Sequence, residues 1–262
     1  MIKKLLKYDL TYVYKIISIY YILSIIFALL TRIFWNLDTT LFNILGSICS
    51  GVTITLMINV LINTLIRNWA RFNINFYKDE SYLTHTLPVS KTEHYFSKFI
   101  TALITMITST LMIVLTLFIA YYSKENFNIL KEMLFGISSI YDTSIRAFIT
   151  GIVIVFFLEM FLMLVIIYTG IILGNRKNNN KTLWTVIYSI IIYFASQSIL
   201  LLFSLIYGLF NKNILKLFTS NTVPDVGILK TFLIFAIIIY TIFIIVYTIV
   251  NLKIFKSGVN VD

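Results

Sequence analysis

"AFITGIVIVFFLEMFLMLVIIYTGIILG" runs from Ala147 to Gly174 and holds one charged side chain, Glu159. A helix needs roughly 20 apolar residues to cross a bilayer, so this stretch is long enough to span one. Its apolarity is continuous, without the period-two alternation of a barrel strand. Lipid offers the backbone no water, so such a segment folds as a helix. Five further stretches meet the same test, near Ile16–Trp35, Ile44–Ile66, Phe99–Tyr122, Leu183–Phe210 and Thr231–Leu252. The chain of 262 residues is 59% hydrophobic and 12% charged, with a mean hydropathy of +0.92. A soluble domain carries about 25% charged residues. The sequence therefore predicts an all-α polytopic membrane protein, with six transmembrane helices in a single domain, 1–262.

The 21 bases set an expected orientation. Lys3, Lys4, Lys7, Lys15, Arg67, Arg71, Lys78, Lys91, Lys98, Arg176, Lys177, Lys181, Lys253 and Lys256 fall on one side of the six-span scheme. Arg32, Lys124, Lys131, Arg146, Lys212, Lys216 and Lys230 fall on the other. Short loops rich in Lys and Arg stay inside, so both termini are expected in the cytoplasm of a cytoplasmic membrane. The net charge of +10 is then mostly a topology signal. Bases scattered over short loops also argue against a nucleic-acid partner.

The lone Cys49 lies within the second span, which excludes an internal disulfide and leaves a small buried hydrophobe. The basic then apolar N-terminus lacks a small-residue cleavage site and reads as an uncleaved anchor. Within it, Lys3, Lys7, Thr11 and Lys15 recur every four residues, opposite Ile2, Leu5, Leu6, Val13 and Ile16. That spacing predicts a short amphipathic helix lying on membrane lipid.

The longest cytoplasmic loop in this scheme is 67–98, "RNWARFNINFYKDESYLTHTLPVSKTEHYFSK". Trp69, Phe72 and Phe76 form a stripe at i, i+3, i+7 that suits membrane or neighbouring helices. Asp79 is placed to cap a new short helix, and Glu80 suits its first turn. Pro88 stops that helix, because proline disfavours helix at the residue before it. Ser90-Lys91-Thr92-Glu93 reads as a capping box that starts the third span. Helix, stop and helix make more ordered structure than a tether needs. His85 and His94 are nine residues apart with no cysteine nearby, so they read as solvated loop residues rather than metal ligands or a catalytic pair. "GSICSGVT" at Gly46–Thr53 has the glycine spacing of a phosphate loop but lacks its lysine and lies inside a span. No nucleotide-binding motif stands in the chain, which reads as a non-enzyme without a cofactor of its own.

Polar residues inside spans are costly and often functional. Glu159 sits near the middle of the fourth span. It is expected to line a path, contact another protomer, relay protons, or tie helices together as a structural carboxyl. Thr55, Asn59, Asn63 and Arg67 repeat every four residues in the second span, and Thr101, Thr105 and Ser109 stripe the third. Such stripes commonly join helices. Asn59 and Asn63 also count as candidates for a path or a protomer contact. Gln197 stands alone in the fifth span. "KENFNILKEMLFGISSIYDTSIR" is expected to hold an interfacial helix, "NKNILKLFTSNTVPDVGILK" a broken segment, and "NRKNNNK" a hydrophilic turn.

The segment "DESYLTHTLPVSKTEHYFSK" resembles one found between the second and third spans of a group of bacterial ABC transporter permeases. Their pattern is an acidic pair, Tyr-Leu-Thr, Thr-Leu-Pro-Val-Ser, then Ser-Lys entering the next helix. It is met here by Asp79-Glu80, Tyr82-Leu83-Thr84, Thr86-Leu87-Pro88-Val89-Ser90 and Ser97-Lys98, with Ser81 where glycine is usual. "LLKYDL" and "YTGIILGNRKNNNK" are similar too. The resemblance implies the membrane half of a type-2 ABC exporter, pairing with a second permease subunit, identical or not. ATP and Mg would be bound by a separate ABC ATPase subunit, and a membrane-active peptide, drug or lipid-like molecule would be the substrate. The segment Asp79–Leu87 would then be the coupling helix, with Tyr82, Leu83 and Leu87 as apolar anchors. Asp79 and Glu80 would meet bases on the ATPase, and Pro88 would provide the stop. The alternative is a non-transporting membrane sensor or assembly protein that docks a cytoplasmic partner through 79–90. A channel or carrier built on Glu159 is a third reading.

Overall fold

The computed structural model describes residues 2–37, 39–78, 80–140, 144–210 and 226–257. They form eight helices: α1 (Ile2–Trp35), α2 (Thr40–Tyr77), α3 (Ser81–Thr86), α4 (Lys91–Tyr121), α5 (Lys124–Ile140), α6 (Ile145–Gly174), α7 (Lys181–Phe210) and α8 (Val226–Lys256). Among the described residues there is no strand. Six of the helices are long and apolar enough to cross a membrane: α1, α2, α4, α6, α7 and the Phe232–Lys256 part of α8. The protein is an all-α, polytopic membrane protein.

The chain falls into two compact units, Met1–Phe127 and Asn128–Asn260. Nothing in composition marks the boundary, because apolar spans stand on both sides of it.

In the first unit α1, α2 and α4 pack on one another and α3 packs on α2. Their contacts invert the order of a soluble protein. Thr31, Thr53, Thr64, Thr105 and Ser109 are buried, whereas Ile19, Ile22, Ile26, Leu29 and Ile33 of α1 are exposed at helical spacing. An apolar stripe turned outward suits lipid, and small hydroxyl side chains let helices approach and hydrogen-bond. Tyr14 meets Thr108, and Tyr21 and Thr64 both meet Ser109, each pair at 2.7 Å. Asn68 Nδ2 donates to Thr105 Oγ1 at 2.9 Å.

These contacts correct one reading of the second span. Thr55, Asn59 and Asn63 turn back on α2, bonding the carbonyls of Gly51, Thr55 and Asn59. The residues that join helices are Thr53, Thr64 and Asn68, on another face of α2. The expected stripe of α4 does face inward, with Thr101, Thr105 and Ser109 all buried.

The separate N-terminal interfacial helix is also corrected. Residues from Ile2 onward are the first turns of one unbroken 34-residue helix, α1. Asp9, Val13 and Ile17 face its neighbours, which holds this part against the unit instead of leaving it to lie apart on lipid. At 1.5 Å per residue α1 is about 50 Å long, against roughly 30 Å of hydrocarbon. The 38-residue α2 is longer still. The basic ends of α1, α2 and α4 thus extend past the apolar spans and carry α3.

In the second unit α6 packs against both α7 and α8. Leu162, Ile166 and Tyr240 form its buried centre, with Tyr193 and Tyr247 against it. Gly170 and Gly174, one turn apart on α6, allow α7 to approach closely. A Cβ on Gly170 would sit 2.8 Å from the Thr185 carbonyl oxygen and 2.9 Å from the Ser189 nitrogen. A Cβ on Gly174 would sit 2.6 Å from Thr185 Cα. The turn between α6 and α7 ends at Asn180, whose φ of 52° lies in the left-handed region that asparagine tolerates. Arg176 Nη2 ties this turn to α8 through Ser257 Oγ at 2.6 Å. Of the segments expected on the external side, α5 is a helix, and residues 211–225 lie outside the described residues.

Candidate functional site

The site is the end of the first unit that carries α3. The turn into α3 is made at Lys78–Ser81, where the Ser81 N–H donates to the Lys78 carbonyl at 2.8 Å. Asp79, the expected cap, lies outside the described residues, and Glu80 holds the cap position without a side-chain bond. The helix is shorter than the expected Asp79–Leu87. Leu87 is already extended, with ψ 139°, as the following Pro88 requires. Ser90 Oγ then accepts from the Glu93 N–H at 3.2 Å, and the Ser90 N–H donates to Glu93 Oε2 at 3.0 Å. This capping box starts α4 as the sequence predicts. The Ser90 backbone N–H, and after it the Ser90 hydroxyl, hold the Glu93 carboxyl below its ordinary value.

The two faces of α3 differ. Ser81 and Thr84 are buried. Tyr82 and Leu83 are 67% and 72% exposed, and Leu87 is 45% exposed. Three large apolar side chains thus stand outward within six residues, on the part of the chain that carries the bases. Behind them Phe72 and Phe76 of α2 are buried, with ring centroids 4.8 Å apart, and Tyr95 stands edge-on to Phe72. The expected aromatic stripe of α2 therefore faces neighbouring helices. His85 is exposed and within 3.4 Å of the Phe76 carbonyl. His94 corrects the solvated reading: it is buried, edge-on to Phe76 at 6.1 Å.

Beneath α3 lies a charged cluster. Arg71 Nε donates to Asp9 Oδ1 at 2.8 Å, and Arg71 Nη1 donates to Glu80 Oε2 at 2.9 Å. The guanidinium also lies over the Tyr12 ring, 4.7 Å from its centroid. Lys98 Nζ donates to Asp9 Oδ1 and to Asn75 Oδ1. Asn75 Nδ2 donates to Glu80 Oε2, and Ser97 Oγ donates to Asp9 Oδ2 at 3.2 Å. Asp9 is 1% exposed and Lys98 5%. Two carboxylates thus face two bases, the arrangement a buried charge needs.

Several of these residues escape sequence reasoning. Glu80 was expected to face bases on a partner, yet Arg71 and Asn75 of its own chain take one of its oxygens. Asp9 was not singled out. Its signal was there: it is the only acid before Asp38, in a helix otherwise basic and apolar. Asn75 is one turn from Arg71, a spacing that places both on one face.

The remaining candidates are not part of this cluster. Asn59 and Asn63 lie in the span portion of α2, with side chains bonded back to their own helix. Glu159 of α6 accepts a hydrogen bond from Tyr193 Oη of α7 at 3.3 Å. No group of three metal-ligating side chains occurs among the described residues. No family model, curated protein or solved structure matches the chain.

Proposed function

We propose that this chain is the permease subunit of an ATP-driven exporter of the ABC type, with α3 as the helix that docks its ATPase. One observation carries the reading: Tyr82 and Leu83 stand exposed on a six-residue helix whose other face is buried. An apolar pair on the basic end of a membrane protein has a large gain from meeting a protein cleft. Burying one leucine is worth roughly 1.5–3 kcal/mol. The positive-inside rule puts this end in the cytoplasm, where an ATPase works.

The mechanism follows from how α3 is held. A chain that binds no nucleotide receives work through contact. An ATPase that closes on ATP and Mg would push α3, and the push reaches α4 through the short Leu87–Ser90 link and its capping box. Because Thr105 and Ser109 join α4 to α2 and α1, a tilt of α4 moves the whole unit. A second permease subunit completes the path. Asn59 and Asn63 in the first unit, and Glu159 in the second, are candidates to meet a peptide, drug or lipid-like substrate.

Co-purification tests the reading. A reading frame with Walker motifs is expected beside this one, and the tagged chain, co-expressed with its product, is expected to retain that ATPase on the affinity column. It is also expected to raise ATP hydrolysis over the ATPase alone. An ATPase that passes straight through, with hydrolysis unchanged, sinks the proposal.

A further inference from the structure

The cluster under α3 has a design that docking alone does not need. Its acids come from separate parts of the first unit's sequence: Asp9 from the first turns of α1 and Glu80 from the cap of α3. Arg71 of α2 bridges them with separate nitrogens, Nε to Asp9 and Nη1 to Glu80. Lys98 of α4 reaches Asp9 directly and Glu80 through Asn75. Helices α1, α2 and α4 and the cap of α3 therefore each put a side chain into one charge-balanced set.

We propose that Asp9 is a positioning residue: with Arg71 and Lys98 it forms a latch that fixes α3 relative to α1, α2 and α4. This rests on the reading of α3 as the docking helix, and adds what sets that helix's pose. The argument is electrostatic. With Asp9 ionised, two carboxylates face two bases. Neutralise Asp9, and Arg71 and Lys98 are left with Glu80 alone. Two cations in poor solvent repel and move apart. Arg71 also loses the Asp9 contact that fixes its guanidinium, so Glu80, the least buried member, is held by a base no longer fixed, and α3 loses its set pose. Charge balance, more than any single bond, is what the latch requires.

The chain lends itself to a direct test, because Cys49 is its only cysteine. A spin label is placed on Leu83→Cys in a Cys49→Ala background, in the full-length protein in lipid nanodiscs without ATPase. The label should be more mobile in Asp9→Asn than in the parent. It should return to the parent's mobility in Asp9→Asn/Lys98→Met, which restores one base against one acid. Should Asp9→Asn not fold, Glu80→Gln cuts the latch at its α3 end with the Asp9 contacts in place: a mobile label supports the latch. A folded Asp9→Asn, or a folded Glu80→Gln, with the parent's mobility overturns it. So does a double variant as mobile as the single one. In the unlabelled protein, ATPase association should fall at least tenfold in Asp9→Asn and recover in the double variant. A parent protein that never holds the ATPase defeats the exporter reading instead, and leaves the label result standing.

Discussion

Asp9 Oδ1 lies 2.8 Å from Arg71 Nε, joining residues 62 positions apart in the chain, and the Asp9 side chain is 1% exposed. Breaking a buried pair by removing one partner costs about 3–5 kcal/mol, because an uncompensated charge stays behind. Asp9→Asn should therefore lower the melting temperature of the detergent-solubilised protein markedly. Adding Lys98→Met should return part of that loss, so the two effects are not additive. A double variant less stable than the sum of the singles would mean that Lys98 contributes packing and not charge balance.

The close approach of α6 and α7 makes a second prediction. Gly174→Val has no room for its side chain, since even a Cβ meets Thr185 at 2.6 Å. Gly51, beside open space, is a matched control. Gly174→Val should reduce folded protein in the membrane several-fold by fluorescence-detected gel filtration, and Gly51→Ala should not. Equal yields would show that α6 and α7 do not depend on this contact.

The capping box gives a pH dependence. Glu93 is held below its ordinary value, 4.5. A depressed carboxylate stabilises the fold above its unfolded pKa, and that contribution is lost as the pH falls through the folded value. Protection of the first-turn amides of α4, relative to α6, should thus be full and constant near neutrality and fall below about pH 4.5. Ser90→Ala should lower it at any pH, with a cost of about 1 kcal/mol. Exchange in Ser90→Ala that matches the parent at pH 7 would show the cap to be idle.

Glu159 separates two roles. If it serves substrate movement, Glu159→Gln should lower transport with expression unchanged, and Tyr193→Phe, which removes its hydrogen-bond donor, should do the same to a smaller degree. Lost expression in both variants would assign the pair to holding α6 and α7 together.

What the residues revealed beforehand depended on range. The six spans were legible because continuous apolarity is read one helix at a time. The stop at Pro88 and the Ser90–Glu93 box were legible because both are local in sequence. Asp9–Lys98 was not, since its partners stand 89 residues apart. The stripe through Asn59 and Asn63 misled for another reason. It shares its four-residue spacing with Thr64–Asn68, and spacing does not say which side of a helix meets its neighbours. The N-terminal bases misled likewise: Lys3, Lys7 and Lys15 suit a helix on lipid as well as the outer face of a packed one. Only Asp9, on the packed face, distinguishes them.

The central claim is that α3 docks an ATPase through its exposed apolar pair. Leu83→Asp puts a charge where a cleft would close, without touching a span or the charged cluster. Binding of the purified variant to the ABC ATPase of the proposed complex, measured by surface plasmon resonance in nanodiscs, tests the claim most directly. A loss of at least tenfold is expected, from the roughly 1.5–3 kcal/mol a buried leucine contributes, with expression and the gel-filtration profile unchanged. Full binding by both Leu83→Asp and Tyr82→Asp would contradict the account.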